Sequence, residues 1–238
     1  MNTQVTLCLT MGKRPELLKQ TLNSLFQFQQ FEHVIAINDF GDEETNQAFK
    51  EVCPHGQLLD LGRQVGHHPA VDAMYELIKT PYVFHCEDDW LFTRSPDIEQ
   101  AMRLLESPNV STACFRRLDL NQYAERDVKR IVLDEYQGVR YYHLDRLHSQ
   151  WHGYGFNPHL AKLSLWRSCG HFAHFKNERH ISRFFRKQGL HVAMMYDGSC
   201  EHIGDDLSVS HENTQKPISR VKQLRRKVKY FILDLFGK

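Results

Sequence analysis

At 238 residues, with 41% hydrophobic and 25% charged side chains, the chain is long enough for one large α/β domain and lacks the composition of a disordered protein. Its 30 basic and 29 acidic side chains leave a net charge of +1, which excludes a polynucleotide-coating protein driven by bulk charge. Six widely spaced cysteines with no Cys-x-x-Cys, no leading signal segment and no run of the roughly 18 apolar residues that span a bilayer point to a reduced, cytoplasmic protein.

In chain order, Val5-Thr6-Leu7-Cys8-Leu9 reads as a first buried strand. Pro15 then opens an amphipathic helix with Leu17, Leu18, Thr21, Leu22, Leu25 and Phe26 at helical spacing. Residues 33–38 form a second strand, closing at Asp39, and Asp42 caps a helix running to about Val52. Gln57 to Leu61 is a short third strand, Pro69 opens a helix through Ile78, and Tyr82 to Cys86 is the fourth strand. Helix 97–106 and strand 110–116 continue the alternation, which predicts a mostly parallel sheet flanked by helices. Ligands of such sheets bind beyond the strand carboxyl ends, where Thr10–Arg14, Asp39–Asp42, Gly62–His68 and Glu87–Asp89 collect.

The fourth strand ends in three consecutive carboxylates, Glu87, Asp88 and Asp89. In extended chain Glu87 and Asp89 share a face about 7 Å apart at Cα, with Asp88 opposite. Two same-face carboxylates suit a hard divalent cation, Mg²⁺ or Mn²⁺, with a diphosphate; the plain alternative is an exposed acidic turn. Residues 117–150 read as an excursion with a hairpin at 131–134 and 139–143. The aromatic, glycine-bearing run 150–158 suits a loop that forms a binding wall, before a helix over 178–188 and a strand over 190–196. Among the 15 histidines no His-Glu-x-x-His or tight Cys/His constellation marks a zinc site, and no phosphate-binding glycine loop of the P-loop or dinucleotide type occurs.

From residue 4 to about 205 the order of these features resembles the GT-A glycosyltransferases, especially the inverting bacterial family 2. The resemblance rests on Leu9-Thr10-Met11-Gly12-Lys13-Arg14-Pro15, Asp39, Gly62-Arg63-Gln64-Val65-Gly66, the Glu-Asp-Asp triplet in the place of Asp-x-Asp, Asn177-Glu178, and Glu201-His202-Ile203-Gly204. It implies donor contacts at Thr10, Arg14, Asp39, Arg63, Gly66 and Asp88, with Asp39 meeting the nucleoside. It implies a metal held by Glu87, Asp89 and His202, with Asp205 or Asp206 as substitutes for the histidine, and a general base at Glu178. Here the family's Glu-Asp pair is reduced to Asn177-Glu178. Trp151, Tyr154 and Phe156 would stack on the acceptor sugar.

The implied activity is inverting transfer of a sugar from a nucleotide-sugar, a UDP-sugar by preference, to a glycan or glycolipid of the cell-surface polysaccharide type. A retaining glycosyltransferase or a sugar nucleotidyltransferase is the alternative within the fold class. Outside it, the alternative is a noncatalytic nucleic-acid- or membrane-binding module. The expected organisation is a catalytic domain over 1–216, with a donor half (1–116) and an acceptor half (117–216), and a basic amphipathic helix over 217–238. Arg220, Lys222, Arg225, Arg226, Lys227 and Lys229 interleave with Val221, Leu224, Val228, Phe231 and Ile232 there. That pattern suits an anionic membrane surface and a peripheral position on the inner leaflet, with no nucleic acid bound.

Overall fold

The computed structural model describes residues 2–204; the expected helix over 217–236, Asp205 and Asp206 lie outside the described residues. The chain runs β1 (Asn2–Met11), α1 (Pro15–Phe26), β2 (Phe31–Asn38), α2 (Glu43–Val52), β3 (Gln57–Asp60), α3 (His67–Tyr75), β4 (Tyr82–Glu87), β5 (Trp90–Phe92), α4 (Ile98–Leu104) and β6 (Val110–Cys114). It continues through α5 (Glu125–Val128), β7 (Val132–Tyr136), β8 (Val139–His143), β9 (His159–Lys162), α6 (Leu163–Ser168), α7 (Glu178–Lys187), β10 (His191–Met195) and β11 (Cys200–His202).

The main sheet has the order β3-β2-β1-β4-β9-β6-β10-β8-β7. Strands β3, β2, β1, β4, β6, β10 and β7 run one way; β9 and β8 run the other. The mostly parallel sheet expected from the alternation is therefore present. Strand β9, unforeseen in the aromatic run, inserts antiparallel between β4 and β6. The hairpin β7–β8 forms as expected, and its two turn residues Gln137 and Gly138 both have positive φ, matching the twist of the flanking strands.

Side-chain alternation along β1 splits the core in two. Val5, Leu7, Leu9 and Met11 pack with Leu18, Leu22 and Leu25 of α1 and Phe49 of α2, while Cys8 on the other face joins Val71 and Met74 of α3 and Ile181 and Phe185 of α7. Asp72, buried on α3, ties that second layer together by accepting hydrogen bonds from Trp166 Nε1 (2.7 Å), Phe172 N (2.9 Å) and Ala173 N (2.8 Å). Asp42 caps α2, as its position predicts, by accepting from Thr45 N at 3.2 Å. Among the described residues no helix is long and apolar enough to cross a membrane.

A histidine stack lies inside the second layer. His85 and His159 pack ring on ring with centroids 5.4 Å apart, and His85 Nδ1 meets Tyr75 OH at 3.0 Å. Burial pulls His159 down to about 4, with the Asn157 carbonyl opposing, and pulls His85 well below its ordinary value. Both rings are thus neutral in the folded protein at pH 7, whereas the unfolded chain protonates them near pH 6.5. Below that value the unfolded state binds more protons, so this contribution is complete above pH 6.5 and is lost as pH falls toward 4. The urea midpoint is expected to drop between pH 7 and pH 5; a constant midpoint over that range would contradict the buried neutral stack.

Candidate active site

Parallel pairing brings the ends of β1, β2 and β4 to one edge of the sheet. Thr10 pairs with Glu87 across β1–β4, which sets the β1–α1 loop beside the acidic triplet. Strand β4 stops at Glu87 and residues 88–89 bend into β5, so strict face alternation fails there, and Asp88 and Asp89 both turn toward Arg14. The bend lets one guanidinium bridge two adjacent carboxylates: Arg14 Nη1 donates to Asp89 Oδ2 at 2.7 Å and Nη2 donates to Asp88 Oδ1.

Asp88 is almost fully covered, and its second oxygen accepts from Gly12 N at 3.0 Å. Both oxygens of this expected donor contact are bonded to the β1–α1 loop. Burial pushes Asp88 up to about 6 against the pull of Arg14 and the Gly12 amide, which leaves it ionised at neutral pH. Burial pulls Arg14 down, but the charges of Asp88 and Asp89 more than offset it, and the guanidinium ends above its ordinary value.

Two elements close over Asp89. His202, on β11, places Nε2 3.2 Å from Asp89 Oδ2, and the Ile203 amide donates to the Asp89 carbonyl at 2.9 Å. The next residue must be glycine in this arrangement, since a Cβ on Gly204 would stand 2.5 Å from Asp89 Oδ2. Pairing of β11 with β5 is what delivers His202, joining residues more than a hundred positions apart.

From the other side comes Glu178, the first residue of α7. Its Oε1 accepts from the Phe156 amide at 3.3 Å, and burial raises its carboxyl, with that amide opposing. Glu87 is pushed up to about 8, first by burial, then by the charges of Asp89, Glu178 and Asp88, with Arg14 pulling the other way. The charge of Glu178 thus reaches Glu87 from the start of α7. Asp88 and Asp89 share the Arg14 guanidinium, and Asp89 also meets the His202 imidazole.

A divalent cation fits the chemistry of Asp89, because its Oδ1 is buried with no hydrogen-bond partner while its Oδ2 meets His202. As arranged, however, no three His, Cys, Asp or Glu groups among the described residues gather closely enough to hold an ion together. Of the expected Glu87, Asp89 and His202, Asp89 and His202 are in contact, and Arg14 Nη1 bonds the same Asp89 oxygen.

Asp39, the expected nucleoside contact, is bonded within the protein. Its carboxylate accepts from Val65 N at 2.7 Å and Gly66 N at 3.1 Å, anchoring the 62–66 loop at the entrance to α3, where Gly66 has φ +96. Arg63 is exposed on that loop. Asp39→Ala is expected to cost about 2 kcal/mol in urea unfolding by leaving two amides unpaired, and Asp39→Asn, which keeps an acceptor, to cost less than half of that. Equal losses in the two variants would contradict the anchoring role.

The expected acceptor wall is redistributed. The rings of Tyr154 and Phe156 are buried, packed against Phe172 at 5.2 and 5.4 Å, so neither can stack on a sugar. Trp151 is exposed, but Arg186 in the last turn of α7 binds its carbonyl at 2.9 Å. Glu178 begins that helix, about 12 Å away along its axis. Aromatic character in this run served the core rather than a sugar face.

No protein-family profile and no curated protein sequence matches the chain. Solved structures do. The mannosyltransferase PcManGT from Pyrobaculum calidifontis, in complex with GDP-Man and Mn²⁺, superposes with a TM-score of 0.64 at 14% identity, over 87% of this chain and 59% of that one. Residues 1–349 of TarS from S. aureus superpose at 0.54 and 9% identity, over 83% of this chain and 59% of that one. The same fragment in complex with UDP superposes at 0.55. This chain thus spans less than two thirds of the length of each. The described residues adopt the fold of the GT-A-type glycosyltransferases.

Proposed function

We propose that the chain is a metal-assisted glycosyltransferase that moves a sugar from a nucleoside diphosphate to a glycan or glycolipid hydroxyl with inversion. The observation that carries this reading is the placement of Glu178, at the start of α7, near enough to Glu87 at the end of β4 for its charge to raise the Glu87 carboxyl. A base and a diphosphate-facing carboxylate pair supplied by different elements are what direct displacement at an anomeric carbon requires.

In the proposed reaction the acceptor oxygen forms the new bond to the anomeric carbon while its proton passes to the Glu178 carboxylate. The bond to the diphosphate oxygen breaks on the opposite face, and the nucleoside diphosphate leaves with the electron pair. Burial raises the proton affinity of Glu178, which strengthens it as an acceptor. A divalent cation held by Asp89, Glu87 and His202 would supply the counter-charge for that leaving group. Arg14 and the pinned β1–α1 loop shape the space it occupies. The bound species of the neighbours, GDP-Man in one and UDP in another, belong to the same ligand class, so UDP- and GDP-sugars are the first donors to test.

Incubation with a panel of UDP- and GDP-sugars, Mn²⁺ and simple glycoside acceptors should release nucleoside diphosphate and form a β- or α-linkage opposite in configuration to the donor. Release of pyrophosphate would instead indicate a nucleotidyltransferase, and a product of retained configuration would overturn the role of Glu178.

A further inference from the structure

The position and bonding of Arg14 suggest more than a donor contact. Three consecutive residues of the β1–α1 loop are fixed by acids from other elements: Gly12 N by Asp88 at 3.0 Å, Lys13 N by Asp42 at 2.9 Å, and the Arg14 side chain by Asp88 and Asp89. Lys13 is held at φ +58, a left-handed conformation that an unconstrained lysine avoids, and this turns the following side chain inward. The Arg14 side chain is only 12% exposed, against 2% for Asp88 and 9% for Asp89.

Its two contacts differ. Asp88 is also tied to Gly12, so the Nη2 end is anchored, whereas Asp89 shares Oδ2 with His202 and keeps Oδ1 without a partner. The Nη1 end is the exchangeable one. A guanidinium fork suits phosphate as well as carboxylate, so a diphosphate offers Nη1 an alternative acceptor.

We propose that Arg14 is a resident counter-cation that competes with a divalent metal for Asp89, and that a nucleoside diphosphate relieves the competition by drawing Nη1 away. The diphosphate half of this rests on the proposed function; the competition half does not. Metal and nucleotide then bind synergistically, and the protein alone binds metal weakly. This couples cation loading to arrival of the donor.

Mn²⁺ affinity, read from the free-ion electron paramagnetic resonance signal, tests it directly in the wild-type protein, Arg14→Gln and Arg14→Lys, each with and without UDP or GDP. Without nucleotide, Arg14→Gln should bind Mn²⁺ at least tenfold more tightly than wild type, a gain that a merely structural role for Arg14 would not produce. Nucleotide should tighten Mn²⁺ binding at least tenfold in wild type and less than threefold in Arg14→Gln. Arg14→Lys, charged but without the fork, should fall between, and it carries the test if the glutamine variant does not fold. Equal or weaker Mn²⁺ binding in the variants, or no Mn²⁺ binding by any of the proteins, overturns the proposal. Tighter binding in Arg14→Gln with no nucleotide effect in wild type would support the competition while counting against the glycosyltransferase reading.

Discussion

Asp89→Asn is expected to lower sugar transfer at least a thousandfold while the protein remains folded. The carboxylate accepts from Arg14, lies against His202 and presents a buried oxygen with no partner, so it is the group with both charge and free coordination capacity. Asparagine preserves its volume, which Gly204 packing demands, but removes the charge. Loss of a cation ligand and of one negative charge opposite a leaving diphosphate removes several kcal/mol of transition-state stabilisation. Unfolding stability should fall by a far smaller amount, about 1–3 kcal/mol, as Arg14 loses one charged partner. The measurement is nucleoside diphosphate release at saturating donor; activity within tenfold of wild type would remove Asp89 from the metal role.

Glu178→Gln is expected to separate binding from chemistry. Glutamine keeps an oxygen for the Phe156 amide, so the start of α7 should hold its place. It cannot take up the acceptor proton, which predicts a loss of about 10²–10⁴-fold in kcat. Donor affinity, measured by calorimetry, should stay within about twofold, because in the proposed reaction Glu178 meets the acceptor hydroxyl rather than the diphosphate. A parallel fall in donor affinity would place Glu178 in the donor site and leave the reaction without this base.

Much of this arrangement was legible in the sequence. Apolar runs, helical spacing and the Asp42 cap located β1, α1, β2, α2 and β4, and the triplet at the end of β4 marked the edge where the candidate site lies. The family resemblance pointed to Glu178, whose charge reaches Glu87 in the structure. What the sequence concealed depends on contacts distant along the chain. Arg14 reaches carboxylates 74 and 75 positions away, and Asp39 binds amides 26 and 27 positions away, with no local pattern to announce either. Strand β9 is four residues long and sits among aromatics that also suit a loop. Tyr154 and Phe156 show why: a ring able to stack on a sugar is equally able to fill a core, and only the packing of β9 and α7 decides.

The central claim is that this edge binds a nucleoside diphosphate through a metal-bearing carboxylate cluster. Calorimetric titration of UDP and GDP into the wild-type protein, with Mn²⁺ and with EDTA, tests it most directly. The account predicts that at least one nucleotide binds with micromolar affinity in Mn²⁺, at least tenfold more weakly in EDTA, and with no such metal dependence in Asp89→Asn. Absence of binding for both nucleotides, or metal-dependent binding that survives in Asp89→Asn, would contradict it.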